Sequence, residues 1–139
     1  MMNTLNFSTG VKTFAVNDGA VEISYNPTDP IFVERMYDAF VSLTEKYEAG
    51  KDKKFDDNKA FFDYARSRDR EVHEEIDGLF GDGVASGLFG GVSSYAMADG
   101  LPLWCNFMLA IIDTVPAELS AQIKASKPRV EKYLKKYHR

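Results

Sequence analysis

A histidine and two glutamates form the first pattern in the sequence that could do chemistry. His73 is followed by Glu74 and Glu75, as at the start of the helical zinc motif of metalloproteases. That motif needs a second histidine four residues after the first, so that two imidazoles share one helix face, but position 77 is Asp77. Because the chain has only two histidines and one cysteine, we expect no metal site.

A glycine-rich segment, residues 81–87, has the composition of a phosphate-binding loop. Such loops follow a strand, and their glycines let backbone N–H groups approach the phosphates. Here the glycines follow a predicted helix, their spacing differs from the dinucleotide fingerprint, and no Lys followed by Ser or Thr comes after them. We therefore expect them to bound a short helix over Val84–Phe89 and to bind no nucleotide or other cofactor.

One thiol and two carboxylates lie in or beside the most apolar segment of the chain. Cys105 follows Trp104, and burial there would raise the thiol pKa and make the side chain unreactive. Asp99 precedes Gly100, as in a turn, and Asp113 is a polar residue at a helix end. No base or nucleophile converges with them in the sequence, so we expect no catalytic residues and no enzyme.

Charge is unevenly distributed along the chain. The net charge is −4, but residues 120–139 hold seven Lys and Arg side chains against Glu131 alone, a local charge of +6. The rest of the chain therefore carries −10. An acidic body with a basic end can pair head to tail within a homo-oligomer, or it can dock on another acidic partner.

The basic segment has a second interpretation, as a contact for nucleic acid. Lys132, Lys135 and Lys136 could neutralise phosphates, and Tyr133 and Tyr137 between them could stack on bases. Against this, the chain as a whole is acidic, and the tyrosine spacing equally suits the packing of a helix. We favour a lysine-rich helix that docks its apolar edge on the body, with nucleic-acid binding as the alternative.

The elements that position these residues begin with a hairpin. Residues 11–16 and 20–25 are rich in β-branched and aromatic side chains, and Asn17, Asp18 and Gly19 between them adopt left-handed backbone angles readily. Because an isolated two-stranded hairpin is marginal in water, its apolar face must be covered. The cover is either the helical body or a neighbouring subunit.

Helical periodicity follows. Asp29 is the predicted N-cap of a first helix with Pro30 at its first position, and Gly50 ends it. A second helix is predicted from Asn58 to about Leu79. Residues 92–98 could open another helix before a turn at 99–100. Residues 103–114 are apolar on nearly all sides, which predicts a buried central helix. A last helix or pair of helices restarts at Pro116 and breaks near Pro128.

Together these elements predict a mainly α (α+β) fold in a single domain, residues 1–139. An N-terminal β-hairpin, residues 1–26, precedes a helical body, residues 29–139. We expect this body to be a bundle of about four to six helices around the central helix near 103–114.

The sequence predicts no membrane or secretion signal. The first residues lack a basic region followed by an apolar run. The longest apolar stretch, residues 101–112, contains Pro102 and Asn106 and is too short to cross a bilayer. We expect no signal peptide and no membrane anchor, and a single cysteine fits a reducing cytoplasm.

Five blocks run in order along the chain: ISYNPTDPIF (residues 23–32), ARSRD (65–69), IDGLFG (76–81), YAMADGLPLW (95–104) and KYHR (136–139). These blocks resemble a family of small prophage-encoded proteins from the tail-morphogenesis gene clusters of Gram-positive bacteria. The resemblance covers nearly the whole chain, from about residue 21 onward, and the blocks are long and ordered.

The size and gene setting of this family are similar to those of tail assembly chaperones, helical proteins that coat the tape-measure protein and help recruit tail-tube subunits. The resemblance implies a non-enzymatic, oligomeric protein of the bacteriophage, with the tape-measure and tail-tube proteins as partners in the cytoplasm of the host bacterial cell. No catalytic residue carries over from it. A minor structural component of the virion is the alternative.

A chaperone of a long helical partner needs exposed apolar and charged surface. The apolar residues around the glycine-rich segment could provide an adjustable edge, although we slightly favour the alternative that they fill the core. The candidate partner-binding residues are Leu79, Phe80, Leu88, Phe89, Lys132, Lys135 and Lys136.

Overall fold

The computed structural model describes residues 2–137, and in the last helix it describes the side chains of residues 103–126, 128, 131 and 132. An N-terminal hairpin is followed by helices and a second, smaller hairpin, which confirms the expected mainly α fold with some β structure. The strands are β1 (Lys12–Val16), β2 (Val21–Tyr25), β3 (Met97–Ala98) and β4 (Leu101–Pro102). The helices are α1 (Pro30–Gly50), α2 (Asn58–Phe80), α3 (Val84–Phe89) and α4 (Leu103–Tyr137).

The first hairpin forms where the sequence predicts it. Strands β1 and β2 pair antiparallel, with Phe14 opposite Ile23. The connection Asn17–Gly19 has positive φ at all three residues, a conformation that Gly adopts freely and that Asn and Asp adopt more readily than other residues with a Cβ. The helical body covers the apolar face, because Ile23 and Tyr25 are buried in the common core and the Tyr25 hydroxyl lies 2.9 Å from the Thr114 hydroxyl of α4.

Side-chain caps fix the starts of the two long helices. The Asp29 carboxylate accepts a hydrogen bond from the Ile31 N–H at 3.0 Å, and Pro30 takes the first helical position, as predicted. The Asp57 carboxylate accepts one from the Ala60 N–H at 2.8 Å at the start of α2. Helix α1 buries one face at steps of three and four, with Phe32, Met36, Ala39 and Leu43.

Replacing Asp57 by alanine is expected to lower the free energy of unfolding by about 1 kcal/mol, because the first turn of α2 loses a hydrogen-bond acceptor. Urea denaturation measures the loss. The matched control is Asp56→Ala, at the exposed neighbouring position, which should stay within about 0.5 kcal/mol of the unmodified chain. Equal losses in the two variants would contradict a capping role.

The predicted helix over residues 92–98 is wrong. The chain instead forms the small β3–β4 hairpin, in which Asp99 and Gly100 both have positive φ, the geometry of a two-residue reverse turn. The Asp69 carboxylate of α2 accepts hydrogen bonds from the Ser94 N–H at 2.8 Å and from its hydroxyl at 2.6 Å. These bonds hold the segment before β3 out of a helical conformation.

The predicted restart at Pro116 is also wrong, because α4 continues through both Pro116 and Pro128 as one helix. An interior proline removes one backbone hydrogen bond. Both prolines are exposed, so water can replace the missing donor. The turn after Pro116 is held to the body by Lys12 of β1, whose Nζ lies 2.6 Å from Glu118 Oε1 and lowers the pKa of that carboxyl group.

The core is built around the start of α4, as predicted. Trp104 is 1% exposed, and its ring packs edge-on against Phe40, Tyr47 and Tyr95. The helix is buried on one face rather than on nearly all sides, because Ala110 and Asp113 are exposed. The residues of this helix in the core are Trp104, Cys105, Met108 and Ile111.

Candidate functional site

His73, the histidine of the pattern on α2, makes contacts that are structural. The Nε2 atom of His73 lies 3.6 Å from Asp69 Oδ1, and its ring packs against Phe89 at 5.9 Å between centroids. Asp69 is already engaged by Ser94. Among the residues that the structure describes, no three His, Cys, Asp or Glu side chains come together to hold a metal ion.

The thiol and the two carboxylates near the apolar segment occupy different environments. Cys105 is buried, and burial raises the pKa of its thiol. Asp99 is exposed in the β3–β4 turn, and Asp113 is exposed on α4. None of the three lines any of the cavities described below.

Two backbone N–H groups of the glycine-rich segment already donate hydrogen bonds to a carboxylate of the same chain. The carboxylate of Asp77, near the end of α2, accepts hydrogen bonds from the Gly83 N–H at 3.2 Å and from the Ala85 N–H at 2.9 Å. Gly83 has a φ of +85°, which favours glycine there. Because a carboxylate already binds these donors and would repel phosphate, the loop serves to start α3, which spans Val84–Phe89 as predicted.

The four apolar candidates for partner binding lie in three places. Phe80 is partly buried among the rings of Tyr25, Phe32 and Phe107, so it belongs to the edge of the core. Leu79 lines a shallow polar depression between α1 and α2. Leu88 and Phe89 are brought together at the end of α3, with Phe89 buried and Leu88 half-buried.

Leu88 and Phe89 line an apolar groove of about 230 Å³ between the first hairpin, α3 and the start of α4. We name it the α3–α4 groove. Its lining residues are Val16, Asn17, Leu88, Phe89, Leu103, Asn106, Phe107 and Ala110. The α4 side of the groove was not predicted, because the helix over residues 103–114 was expected to be buried on nearly all sides. The sequence signal is that residues 103, 107 and 110 are also apolar, so this helix has more apolar residues than a single buried face can hold.

A second apolar cavity, of about 220 Å³, lies between the end of α1, the start of α2 and Tyr95. Aromatic rings of Tyr47, Phe61, Tyr64 and Tyr95 line it. Cations lie over two of these rings, with Lys51 Nζ 5.1 Å from the Tyr47 centroid. Burial raises the pKa of Tyr95 to about 12. The sequence does not predict this cavity, because the residues that line it come from separate parts of the chain.

Residues 120–137 of the basic segment lie in the second half of α4, and we name residues 119–137 the α4 arm. The side chains of Lys135 and Lys136 lie outside the described residues. Lys132 is exposed, as are Leu119 (47%) and Ile123 (56%). The apolar edge that was expected to dock on the body, formed by Val130, Tyr133, Leu134 and Tyr137, lies outside the described side chains.

Comparisons of the chain with protein-family models, with curated proteins and with solved structures found no match. In the described part of the chain, no helix is both long enough and apolar enough to cross a membrane.

Proposed function

We propose that this chain is a non-enzymatic protein that binds other tail proteins during phage tail morphogenesis, as a tail assembly chaperone in the cytoplasm of the host bacterium. The observation that carries the proposal is the α3–α4 groove, an apolar surface open to a partner. The resemblance of the ordered sequence blocks to prophage tail-module proteins supplies the class of partner, the tape-measure and tail-tube proteins.

The groove suits the apolar face of a helical partner. Leu103, Phe107 and Ala110 follow one another along α4 at steps of four and three, so they form a continuous apolar strip. Leu88 forms the opposite wall, and Asn17 and Asn106 place polar groups within the lining. Apolar side chains of a partner helix can enter such a groove at the same spacing, and the removal of both surfaces from water stabilises the complex.

The test is co-expression of the tagged chain with the tape-measure and tail-tube proteins, followed by affinity purification. The informative variant is Ala110→Arg, because position 110 is exposed on α4 and a long charged side chain there fills the groove without disturbing the core. We expect it to lower the recovered partner about tenfold or more, the result of losing about 1.4 kcal/mol of binding free energy.

The matched control is Ala49→Arg, which adds the same side chain at an exposed position of α1, outside the groove. It should recover as much partner as the unmodified chain. Circular dichroism of both variants checks that the helices are intact. Recovery of neither tail protein with the unmodified chain, or equal recovery with Ala110→Arg, would overturn the proposal.

A further inference from the structure

The aromatic cavity between the end of α1, the start of α2 and Tyr95 plays no part in the proposed function. We name it the Tyr95 cavity, after the one lining ring that belongs to neither helix. Tyr47 and Tyr95 pack together at 6.4 Å between centroids. Phe61 and Tyr64 each pack on Phe55, at 5.5 and 5.1 Å. Contacts within the chain therefore hold all four lining rings in place, so the cavity is preformed.

The volume of the cavity limits what it can hold. The space measures about 220 Å³, and two small residues, Gly50 and Ala65, help to keep it open. A Cβ atom at position 50 would overlap the Tyr64 hydroxyl. An apolar cavity of about 150 Å³ binds benzene, whereas drug-sized ligands need about 300 Å³ or more. The Tyr95 cavity therefore fits one six-membered ring with a short substituent, and it is too small for a nucleotide.

The charge around the cavity favours an anion. Among the described residues, every charged side chain that lines it is a cation: Lys46, Lys51 and Arg68. A single carboxylate, that of Glu71, lies 3.3 Å from Lys46 Nζ and 2.6 Å from Arg68 Nη1, so one negative charge serves two positive ones. Lys51 pairs with Glu48 at 3.4 Å, but both side chains are exposed, where water and salt weaken such a pair. The surroundings therefore keep a net positive charge.

A set of tyrosine and phenylalanine rings can also bind an ammonium group, so a cationic ligand is the alternative. Here the cations of the chain already lie over the ring faces. Lys51 Nζ lies 5.1 Å from the Tyr47 centroid, and Arg68 Cζ lies 5.0 Å from the Tyr64 centroid. A ligand ammonium would compete with these cations for the rings and would be repelled by their charge. The geometry therefore favours an aromatic ring that carries a negative charge.

Two polar atoms of lining residues have no hydrogen-bond partner in the described part of the chain. They are Arg68 Nε and the Tyr95 hydroxyl, and both are buried. Burial also raises the pKa of Tyr95, so its hydroxyl keeps the proton at neutral pH. Because no acceptor of the described chain offsets the Arg68 Nε–H dipole, it adds to the positive potential beside the cavity.

We propose that the Tyr95 cavity binds a small aromatic carboxylate, in which a short chain joins one ring to the carboxylate. The ring packs against the tyrosine and phenylalanine side chains, where aromatic pairs are favourable, and the carboxylate pairs with the lining cations. The site is independent of the proposed function, because it shares no lining residue with the α3–α4 groove.

The test is a titration of the chain with 3-phenylpropionate, followed by the fluorescence of Trp104, its only tryptophan. The indole lies 6.3 Å from the Tyr47 ring and 6.2 Å from the Tyr95 ring, so it reports on contacts made by either ring. We expect saturable binding with a Kd of about 1 mM or below. The uncharged 3-phenylpropanamide should bind about tenfold more weakly, and the cationic 3-phenylpropylamine more weakly still.

The first variant fills the cavity. Ala65→Leu adds a larger side chain at a partly exposed lining position, and it should abolish binding of both the carboxylate and the amide. The matched control is Ala49→Leu, the same change at an exposed position of α1 outside the cavity, and it should bind as the unmodified chain does.

The second variant reverses one charge. Lys51→Glu should weaken binding of the carboxylate about tenfold and leave that of the amide unchanged, because only the carboxylate interacts with that charge. The matched control is Lys54→Glu, at an exposed loop position that does not line the cavity. At about 150 mM salt, charges more than about 8 Å apart are largely screened, so this control should have little effect.

Three results would overturn the proposal: no saturable binding of 3-phenylpropionate, equal affinity for the three probes, or unchanged binding by Ala65→Leu. The Ala110→Arg variant should bind 3-phenylpropionate normally, even if it recovers no tail protein. Loss of binding in Ala110→Arg but not in Ala65→Leu would instead place the probe in the α3–α4 groove. Circular dichroism confirms that each variant is folded before its affinity is interpreted.

Discussion

Replacing Trp104 by alanine is expected to lower the free energy of unfolding by about 3 to 5 kcal/mol. The ring is 1% exposed and contacts aromatic rings from α1 and from the segment before β3, so its removal leaves a cavity where three parts of the chain meet. Urea denaturation followed by circular dichroism measures the loss. Fluorescence is unsuitable, because Trp104 is the only tryptophan of the chain.

The comparison variants are Trp104→Phe and Met97→Ala. Phenylalanine retains most of the apolar volume, so the first should lose clearly less stability than Trp104→Ala. Met97 is 59% exposed, and its replacement should change stability by no more than about 0.5 kcal/mol. A loss below about 1 kcal/mol for Trp104→Ala would show that the start of α4 is not the centre of the core.

Replacing Asp69 by alanine is expected to lower the free energy of unfolding by about 2 to 3 kcal/mol. One carboxylate oxygen accepts hydrogen bonds from both the backbone N–H and the hydroxyl of Ser94, a residue that is fully buried. Without this acceptor, two buried donors are left unsatisfied, and the segment before β3 loses its attachment to α2. Urea denaturation again provides the measurement.

Two further variants isolate the hydrogen bonds to Ser94. Asp69→Asn keeps an acceptor oxygen, so it should lose less stability than Asp69→Ala. Asp63→Ala removes an exposed carboxylate from the same helix, whose ion pairs with Lys59 and Arg66 are at the surface, so it should cost clearly less stability than Asp69→Ala. Equal losses for Asp69→Ala and Asp63→Ala would contradict the structural role of Asp69.

Elements with local signals were predicted at nearly their true bounds. The first hairpin follows from Asn17, Asp18 and Gly19, which accept positive φ, and the start of α1 follows from an Asp–Pro cap. The prediction of a helix over residues 92–98 failed because of a contact with a part of the chain that is distant in sequence. Asp69, which holds Ser94, lies 25 residues earlier in the chain, and no local pattern shows that bond.

The last helix shows a different limit of local rules. Proline usually ends a helix because it lacks the N–H donor, so Pro116 predicted a break. This tendency of proline does not take into account tertiary contacts made by the helical turns before and after it. Here Thr114 contacts Tyr25 before it and Glu118 pairs with Lys12 after it. An exposed proline between two anchored turns is compatible with a continuous helix.

The candidate site was predicted in part. Leu88 and Phe89 were candidate partner-binding residues for which core filling was slightly favoured; Phe89 is buried in the core, Leu88 packs against it, and both line the α3–α4 groove. The opposite wall, with Leu103 and Phe107, depends on which face of α4 the hairpin and α3 leave uncovered. The apolar residues at 103, 107 and 110 indicate a second apolar face on α4, but tertiary packing decides whether that face is covered.

Hydrogen–deuterium exchange of the chain, alone and with the tape-measure protein, is the most direct measurement of whether the α3–α4 groove binds a tail protein. We predict slower amide exchange in α3 and around residues 103–110 of α4 when the tape-measure protein is present. Unchanged exchange in both segments, with or without slowing on other surfaces, would contradict the assignment of the groove as the docking site.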